Sequence, residues 1–278
     1  MLEAERHRLI LKLVQEQSVI SVPQLVEMFG VSEATARRDI AALAAQSKLR
    51  RVWGGAEALT PRHEAHLVGR PFEMSLGIAA AQKSAIARAA ATLIEDGDSI
   101  IINGGTSTYA LVEHLAHREL DILTNSLPIV TRLLSGSRNR VTIPGGTLYR
   151  EQKVVLSPYD NDAIGHFWGH KLFSGCFGLN RFGWMETDPL IVQAELKLLD
   201  RAEQLILLAD SRKLSQRSSM IVTGLDRINT LITDSGATEE QLEPLRDAGV
   251  KVISVEVTAV PGGEEMHRPI PRLHLGER

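Results

Sequence analysis

The stretch that most constrains this chain is Ser32–Leu43, which reads S-E-A-T-A-R-R-D-I-A-A-L. Ser32 suits the N-cap of a helix, because its hydroxyl can accept from the free amides of the first turn. Apolar residues at roughly helical spacing predict one face that packs on a small core, namely Ala34, Ala36, Ile40 and Leu43. Thr35, Arg37 and Arg38 lie off that stripe, where they can reach phosphates or base edges.

The segments before this stretch predict two more helices. Ala4–Gln17 has apolar residues at helical spacing, namely Leu9, Ile10, Leu13 and Val14. Pro23–Phe29 is a short helical pattern, and Gly30 then allows a tight turn. A helix, a glycine turn and a serine-capped helix with exposed arginines form the helix-turn-helix arrangement, although an ordinary pair of surface helices shares the pattern.

A basic hairpin is predicted after the third helix. Lys48–Ala56 reads as a strand, a Gly-Gly turn and a returning strand. Three helices and a basic hairpin make a winged helix. The run from Val22 through T-A-R-R-D to R-R-V-W-G-G-A resembles the N-terminal domain of DeoR-type transcriptional repressors. The predicted DNA-binding residues are Ser32, Thr35, Arg37, Arg38, Arg50 and Arg51.

Charge separates the first 62 residues from the rest. They hold nine Lys and Arg against seven Asp and Glu, whereas the remainder holds 22 against 27. A basic module on an acidic body fits a DNA reader joined to another domain. The single cysteine, Cys176, excludes an intrachain disulfide and a Cys-rich zinc site. With a polar N-terminus and no long apolar run, we expect a cytoplasmic protein without a signal peptide or membrane span.

The rest of the chain alternates between strands and helices. Predicted strands are Ser99–Ile102, Asp121–Thr124, Val141–Ile143, Leu205–Ala209, Thr230–Thr233 and Val250–Val255, and predicted helices begin near Ser75, Tyr109 and Ile129. Such alternation predicts a mostly parallel α/β sheet with ligands at the carboxyl ends of its strands. The predicted organisation is a winged helix-turn-helix over residues 1–58, a linker over 59–74, an α/β sensor domain over 75–258 and a disordered tail over 259–278.

Three predicted strands end in glycine, hydroxyl and amide residues, which favours a phosphate-bearing ligand. The first, Asn103–Thr108, would offer backbone amides and hydroxyls at a helix start, where the helix dipole favours an anion. Its spacing matches neither a dinucleotide fingerprint nor a P-loop. The predicted effector-binding residues are Gly105, Thr106, Ser107, Thr108, Asn125, Ser126, Gly145, Gly146 and Lys213. Glu195 and Lys197 are expected on a solvated helix face.

The predicted sensor domain is also similar to its DeoR counterpart. The resemblance rests on Ala85–Ala87, Gly105–Ser107, Thr124–Ser126 and Ala209–Lys213. It implies a fold related to ribose-5-phosphate isomerase and coenzyme A transferase, and an effector that is a phosphorylated sugar. Pro144–Gln152 and Met185–Leu190 most resemble the ascorbate-utilisation branch, which makes ascorbate 6-phosphate a candidate effector.

The leading hypothesis is therefore a ligand-controlled repressor that binds double-stranded operator DNA as a homodimer or homotetramer. An isomerase-like enzyme fused to a DNA-binding module is the alternative, but Asp188, Glu195 and Asp210 form no recognisable isomerase motif. A ligand-independent DNA-binding protein is a third reading, which the polar strand ends disfavour. We expect no catalytic residue, no cofactor and no metal.

Overall fold

The computed structural model describes residues 3–17, 19–59 and 71–257. The chain divides into two compact units, with the boundary between Ile78 and Ala79. Most of the predicted linker and the predicted tail lie outside the described residues. None of the helices in the described ranges is long and apolar enough to cross a membrane.

The first unit is a winged helix. Its elements are α1 (Glu3–Gln17), β1 (Val19–Ser21), α2 (Val22–Phe29), α3 (Glu33–Ala45), β2 (Arg50–Val52), β3 (Gly55–Glu57) and α4 (Phe72–Leu76). The three strands form an antiparallel sheet in the order β1-β3-β2. The three helices and the basic hairpin predicted from the sequence are all present.

Two glycines allow the close turns of this unit. Gly30 ends α2 in the left-handed conformation, with a φ of 63°, and its amide donates to the carbonyl of Val26. Gly55 lies against β1, and a Cβ atom there would come within 2.1 Å of the Ile20 carbonyl oxygen. The hairpin can therefore pair with β1 only with glycine at this position.

The second unit is an α/β domain. Its elements are α5 (Ala80–Ala91), β4 (Ser99–Ile102), α6 (Thr106–Val112), β5 (Asp121–Thr124), α7 (Leu127–Gly136), β6 (Arg140–Thr142), β7 (Thr147–Tyr149), β8 (Val154–Leu156), β9 (Gly169–Ser174), β10 (Gly178–Asn180), β11 (Gly183–Glu186), α8 (Pro189–Leu199), β12 (Ala202–Leu208), β13 (Met220–Thr223), β14 (Thr230–Asp234), α9 (Glu239–Asp247) and β15 (Lys251–Val255). Seven strands form a parallel sheet in the order β15-β14-β12-β9-β4-β5-β6. The fold class is therefore α/β, as predicted.

The structure corrects two predicted helix starts and adds one strand to the sheet. The helix expected from Ser75 is two helices, α4 and α5, because Ala79 between them takes a left-handed φ of 52°. The helix expected at Tyr109 begins at Thr106, directly after the glycine turn. The central strand β9 was not predicted. Its first half, Gly169-His170-Lys171, has no apolar side chain. Only Leu172 and Phe173 give the strand an apolar signal.

Candidate DNA-reading surface and effector site

The serine predicted to cap the recognition helix does so. The hydroxyl of Ser32 accepts from the Thr35 amide at 3.2 Å and lies 3.0 Å from the Thr35 hydroxyl. Ser32 is exposed and Thr35 is half-buried. The cap therefore fixes the start of α3 and leaves both hydroxyls near the surface.

The apolar stripe of α3 is confirmed at three of its four positions. Ala36, Ile40 and Leu43 are buried, but Ala34 is exposed. At 100° per residue Ala34 lies about 150° around the helix from the middle of that stripe, so including it was wrong. The opposite face is exposed and carries Arg37 and Arg38.

The arginines predicted to bind DNA differ in their present partners. The Arg37 guanidinium contacts Glu33 one turn away at 3.1 Å, and both side chains are exposed. Arg50 contacts Glu57 on the facing strand at 2.9 Å, whereas Arg51 is exposed on the opposite face of the hairpin. The pair of Arg37 and Glu33 is exposed and therefore weak, whereas Glu57, the partner of Arg50, is buried, so Arg37 can leave its carboxylate at a lower cost than Arg50.

In the sensor unit, Asn103 joins several strand ends. Its Nδ2 donates to the Ser174 hydroxyl at 2.9 Å and to Oε1 of Glu195 at 3.0 Å. Its Oδ1 accepts from the Gly104 amide at 2.7 Å. One side chain therefore links the carboxyl ends of β4 and β9 to helix α8, at the edge of the sheet where the sequence predicted a ligand.

The turn at Gly104 and Gly105 and strand β8 meet at this same edge of the sheet. The Gly104 amide also donates to Oδ1 of Asn125 at 2.9 Å. A Cβ atom at Gly104 would come within 2.2 Å of Val154 on β8, so a side chain cannot replace its hydrogen. Ser126 is fully buried, and its hydroxyl has no hydrogen-bond partner among the described residues. The structure thus brings the predicted residues Asn125 and Ser126 to the turn before Gly105.

The predicted phosphate turn forms the first turn of α6. Gly105 and Thr106 are half-buried, whereas Ser107 and Thr108 are buried. The Thr108 hydroxyl donates to the Gly105 carbonyl at 2.9 Å, so within this turn it already serves the backbone. Gly145 and Gly146 differ from these residues, because they are exposed in the connection that leads into β7.

A cluster of cations surrounds Asp210, directly after β12. Asp210 is fully buried and accepts two bonds from Arg212, at 2.8 and 3.1 Å. The Nζ atom of Lys213 lies 5.7 Å from the centre of the Phe177 ring. Lys83 on α5 is 5% exposed. Burial is the main cause that lowers the pKa of Lys83 to about 7. The positive charges of Lys213 and Arg212 contribute to this shift, whereas the carboxylate of Asp210 opposes it.

Sequence reasoning missed Lys83 and misplaced Glu195. Glu195 is 4% exposed rather than solvated. Burial is the main cause that raises the pKa of Glu195 well above its usual range, and the charge of the neighbouring Glu186 adds to the rise. The hydrogen bond from Asn103 opposes it. Lys197 is half-buried, and its Nζ donates to the carbonyls of Ser157 and Tyr159. The expectation of a solvated face fails for Glu195, because α8 turns this residue towards the strand ends.

Glu186 faces the same cluster from β11. Its Oε1 accepts from the Phe177 amide at 2.6 Å. Burial raises the pKa of Glu186, and the positive charge of Lys213 opposes that rise. The strand-end cluster therefore combines two carboxyl groups that resist ionisation with a set of cations on the β12 side.

Both units match known protein families. Residues 6–62 match the DeoR-like helix-turn-helix domain, and residues 78–235 match the DeoR C terminal sensor domain. The chain belongs to the DeoR family. Two similar regulators of this family are both named HTH-type transcriptional regulator UlaR. One is from Shigella dysenteriae and the other is from Escherichia coli O9:H4. Each is 34% identical over 259 residues, covering 92% of this chain and all of the relative.

Solved structures were also compared with this DeoR-family chain. The full-length sorbitol operon regulator SorC from Klebsiella pneumoniae covers 88% of the chain and 99% of its own, with a TM-score of 0.37 and 13% identity. Ribose 5-phosphate isomerase A from Methanocaldococcus jannaschii covers 47% of the chain and 52% of its own, with a TM-score of 0.36 and 13% identity.

Membership of the DeoR family assigns the two units. The chain is a transcriptional regulator with an N-terminal DNA-binding domain and a C-terminal sensor domain. Asp188, one of the acids considered for catalysis, has structural contacts in this regulator. It caps α8 by accepting from the Leu190 amide at 2.8 Å, and it accepts from the Tyr149 hydroxyl at 2.6 Å. Burial is the main cause that raises the pKa of Tyr149 to about 12, and the hydrogen bond to Asp188 is the second.

Proposed function

We propose that this DeoR-family regulator represses a carbohydrate-catabolic operon, and that a phosphorylated sugar or sugar acid controls its operator binding. The operon for L-ascorbate is the candidate, with ascorbate 6-phosphate as effector. The observation that carries the proposal is the polar cluster at the strand ends, in a chain that also has a complete winged helix. A protein that only bound DNA would have no need of buried amides, cations and a glycine turn at one edge of its sheet.

The effector's phosphate is assigned to the first turn of α6 and the residues around it. The amides of Gly105–Thr108 offer donors there, and Asn125 and Ser126 lie beside the turn. Gly145 and Gly146 are the outer part of this set. Lys213 supplies a point charge from the β12 side, and Arg212 pairs with Asp210 beside it.

The operator is assigned to α3 and the wing. Ser32, Thr35, Arg37 and Arg38 face outward along the start and middle of α3, which suits insertion into a major groove. Arg50 and Arg51 of the hairpin suit the neighbouring phosphates. Two copies are needed to read two half-sites, so the working form is a homodimer or a homotetramer.

A thermal-shift screen tests the effector class. The purified chain is heated with ribose 5-phosphate, with ascorbate 6-phosphate and with the same compounds lacking phosphate. Binding to the folded protein raises its apparent stability by about 2.7 kcal/mol at a hundredfold excess over Kd. We expect a phosphorylated compound to shift the melting temperature and its unphosphorylated partner to have no effect. No shift with any phosphorylated sugar or sugar acid contradicts the proposal.

The competing enzyme function has its own test. Isomerisation requires a general base next to an acid or electrophile. The structural contacts of Asp188 and the bidentate pairing of Asp210 with Arg212 support a binding protein over an isomerase. Incubation with ribose 5-phosphate should therefore leave the compound unchanged. Its conversion to the ketose at a rate proportional to protein concentration would favour the enzyme.

A further inference from the structure

We propose that Glu195, supported by Asn103 and Glu186, recognises the hydroxyl groups of the effector and so selects a polyhydroxylated carbon chain attached to the phosphate. This proposal rests on the function proposed above and concerns the same cluster. It assigns to Glu195 a role in specificity that the sequence did not indicate.

The first observation is an unsatisfied oxygen. Glu195 is 4% exposed, and its Oε1 accepts from Asn103 at 3.0 Å. Its Oε2 has no hydrogen-bond partner within the described part of the chain. A buried polar atom without a partner destabilises a protein. Such an atom therefore points to a partner that arrives from outside the chain, and a ligand hydroxyl is one.

The second observation is the position of Glu195 relative to the glycine turn. The side chain of Asn103 contacts Glu195 through Nδ2 and the Gly104 amide through Oδ1. Glu195 is therefore one side chain away from the turn to which the phosphate is assigned. A ligand bound by its phosphate at Gly105 would extend its carbon chain within reach of Glu195.

The third observation is the second carboxyl group. Glu186 is close enough to raise the pKa of Glu195, and burial raises both values. Burial and a second carboxyl group nearby both disfavour the ionised form of Glu195, so its protonated form is favoured more than in a solvated glutamate. A protonated carboxyl both donates and accepts hydrogen bonds, as a hydroxyl group does. A phosphate dianion only accepts them, and it is repelled by an ionised partner.

The cluster therefore orients its ligand. Anionic oxygens are favoured at the glycine turn and near Lys213, whereas hydroxyl groups are favoured at Glu195 and Asn103. This division predicts that Glu195 contributes to the affinity for a sugar phosphate and contributes nothing to the affinity for phosphate alone.

The test uses Glu195→Met in the full chain, because methionine has a side chain of similar length without the carboxyl oxygens. Calorimetry measures the Kd values of ribose 5-phosphate, ascorbate 6-phosphate and inorganic phosphate for the variant and the unmodified protein. The variant should lose about 2- to 10-fold in affinity for whichever sugar phosphate the unmodified protein binds, the value of a hydrogen bond between neutral groups. Its affinity for inorganic phosphate should not change.

Stability separates this role from a structural one. Methionine removes the carboxyl oxygen that has no partner among the described residues, and it removes the repulsion between Glu195 and Glu186, so the variant should melt at the same or a higher temperature. Glu240→Met is the matched control, because Glu240 is exposed on α9. It should change neither the melting temperature nor any Kd.

Two results would overturn the inference, and they are distinguishable. Equal losses for the sugar phosphate and inorganic phosphate, or no loss for either, would show that Glu195 does not read hydroxyl groups while the proposed function stands. An unmodified protein that binds neither sugar phosphate would remove the proposed function and this inference together.

Discussion

Asp39 of the winged helix and Glu195 of the sensor unit are both buried carboxyl groups on helices, but their surroundings differ. Asp39 accepts two bonds from Arg6, at 2.8 and 3.1 Å, and lies 3.1 Å from Nε2 of His7. Burial alone would raise the pKa of Asp39, but these hydrogen bonds lower it. Glu195 has one partner, Asn103, and an ionisable neighbour that raises its pKa further.

The difference separates a carboxylate that stabilises the fold from one that is available to a ligand. Asp39 ties α3 to α1 and holds the recognition helix in place, with its oxygens satisfied inside the chain. Glu195 keeps an unsatisfied oxygen at the ligand edge of the sheet. Groups that destabilise a protein locally are often those that bind or react, so the two sites should respond to mutation in opposite ways.

The largest expected effect separates ligand binding from DNA binding. In Gly105→Asp, a carboxylate occupies the turn assigned to the phosphate, and like charges brought together cost several kcal/mol, or at least about 100-fold in Kd. The φ of Gly105, 163°, is extended backbone that an aspartate adopts, so the unit should fold. Titration should show the effector affinity lost and the operator affinity retained.

Two control variants sharpen that result. Gly105→Asn has the same shape without the charge, and it should lose less affinity than Gly105→Asp. Gly136→Asp adds the same charge at the end of α7, where a Cβ atom meets nothing within 4 Å, and it should bind the effector normally. A folded Gly105→Asp protein that still responds fully to the effector would show that the phosphate binds elsewhere.

The next effect is on stability and tests the other side of the comparison. Asp39→Asn removes the charge that Arg6 and His7 contact, and hydrogen bonds to charged groups stabilise by about 1.5–3 kcal/mol each. Because the pKa of Asp39 is lowered by folding, its contribution is present above about pH 4 and is lost as the pH falls through the lowered value. Urea denaturation should show that Asp39→Asn loses much of its free energy of unfolding at pH 7, relative to the unmodified protein. The loss should be smaller at pH 3.

A matched change clarifies that measurement. Asp247→Asn removes the same charge at the exposed end of α9 and should leave the unfolding midpoint unchanged. If Asp39→Asn behaves like Asp247→Asn at pH 7, the contrast between the two buried carboxyl groups is wrong.

The smallest expected effect is on operator affinity. Arg38→Ala removes an exposed side chain from α3 and should weaken operator binding by about 1–3 kcal/mol if the arginine reads a guanine. If it contacts phosphate, binding should weaken evenly across sequences and the salt slope should fall by about one. Arg138→Ala, at an exposed position of the sensor unit, is the control. Unchanged operator affinity in both Arg37→Ala and Arg38→Ala would show that α3 is not the recognition helix.

The sequence predicted the winged helix well because its signals are local. Gly30 and the Ser32 cap mark a turn and a helix start within three residues, and each acts through its own neighbours. The strands on either side of β9 were also clear, because Ile100–Ile102 and Leu205–Leu208 are continuous apolar runs. Strand β9 itself lacked such a run.

The polar cluster at the carboxyl ends of the strands was predicted in position but only partly in composition. Asn125 and Ser126 lie at this edge as predicted, because they directly follow a predicted strand, and their binding role stays a prediction. Glu195 and Lys83 were not predicted there, because their burial depends on partners far away in the sequence. Asn103 is 92 residues from Glu195, and Asp210 is more than 120 residues from Lys83. No helical pattern within α5 or α8 carries that information.

The measurement that tests the account most directly is an operator titration with and without effector. A duplex is first selected from a random pool by the full-length protein, and its Kd is then measured alone, with ribose 5-phosphate, with ascorbate 6-phosphate and with the unphosphorylated sugars. The account predicts that a phosphorylated compound changes the operator Kd by about 5- to 150-fold, the usual range of coupling between sites, and that its unphosphorylated form does not. An operator Kd that no phosphorylated sugar or sugar acid changes would contradict it.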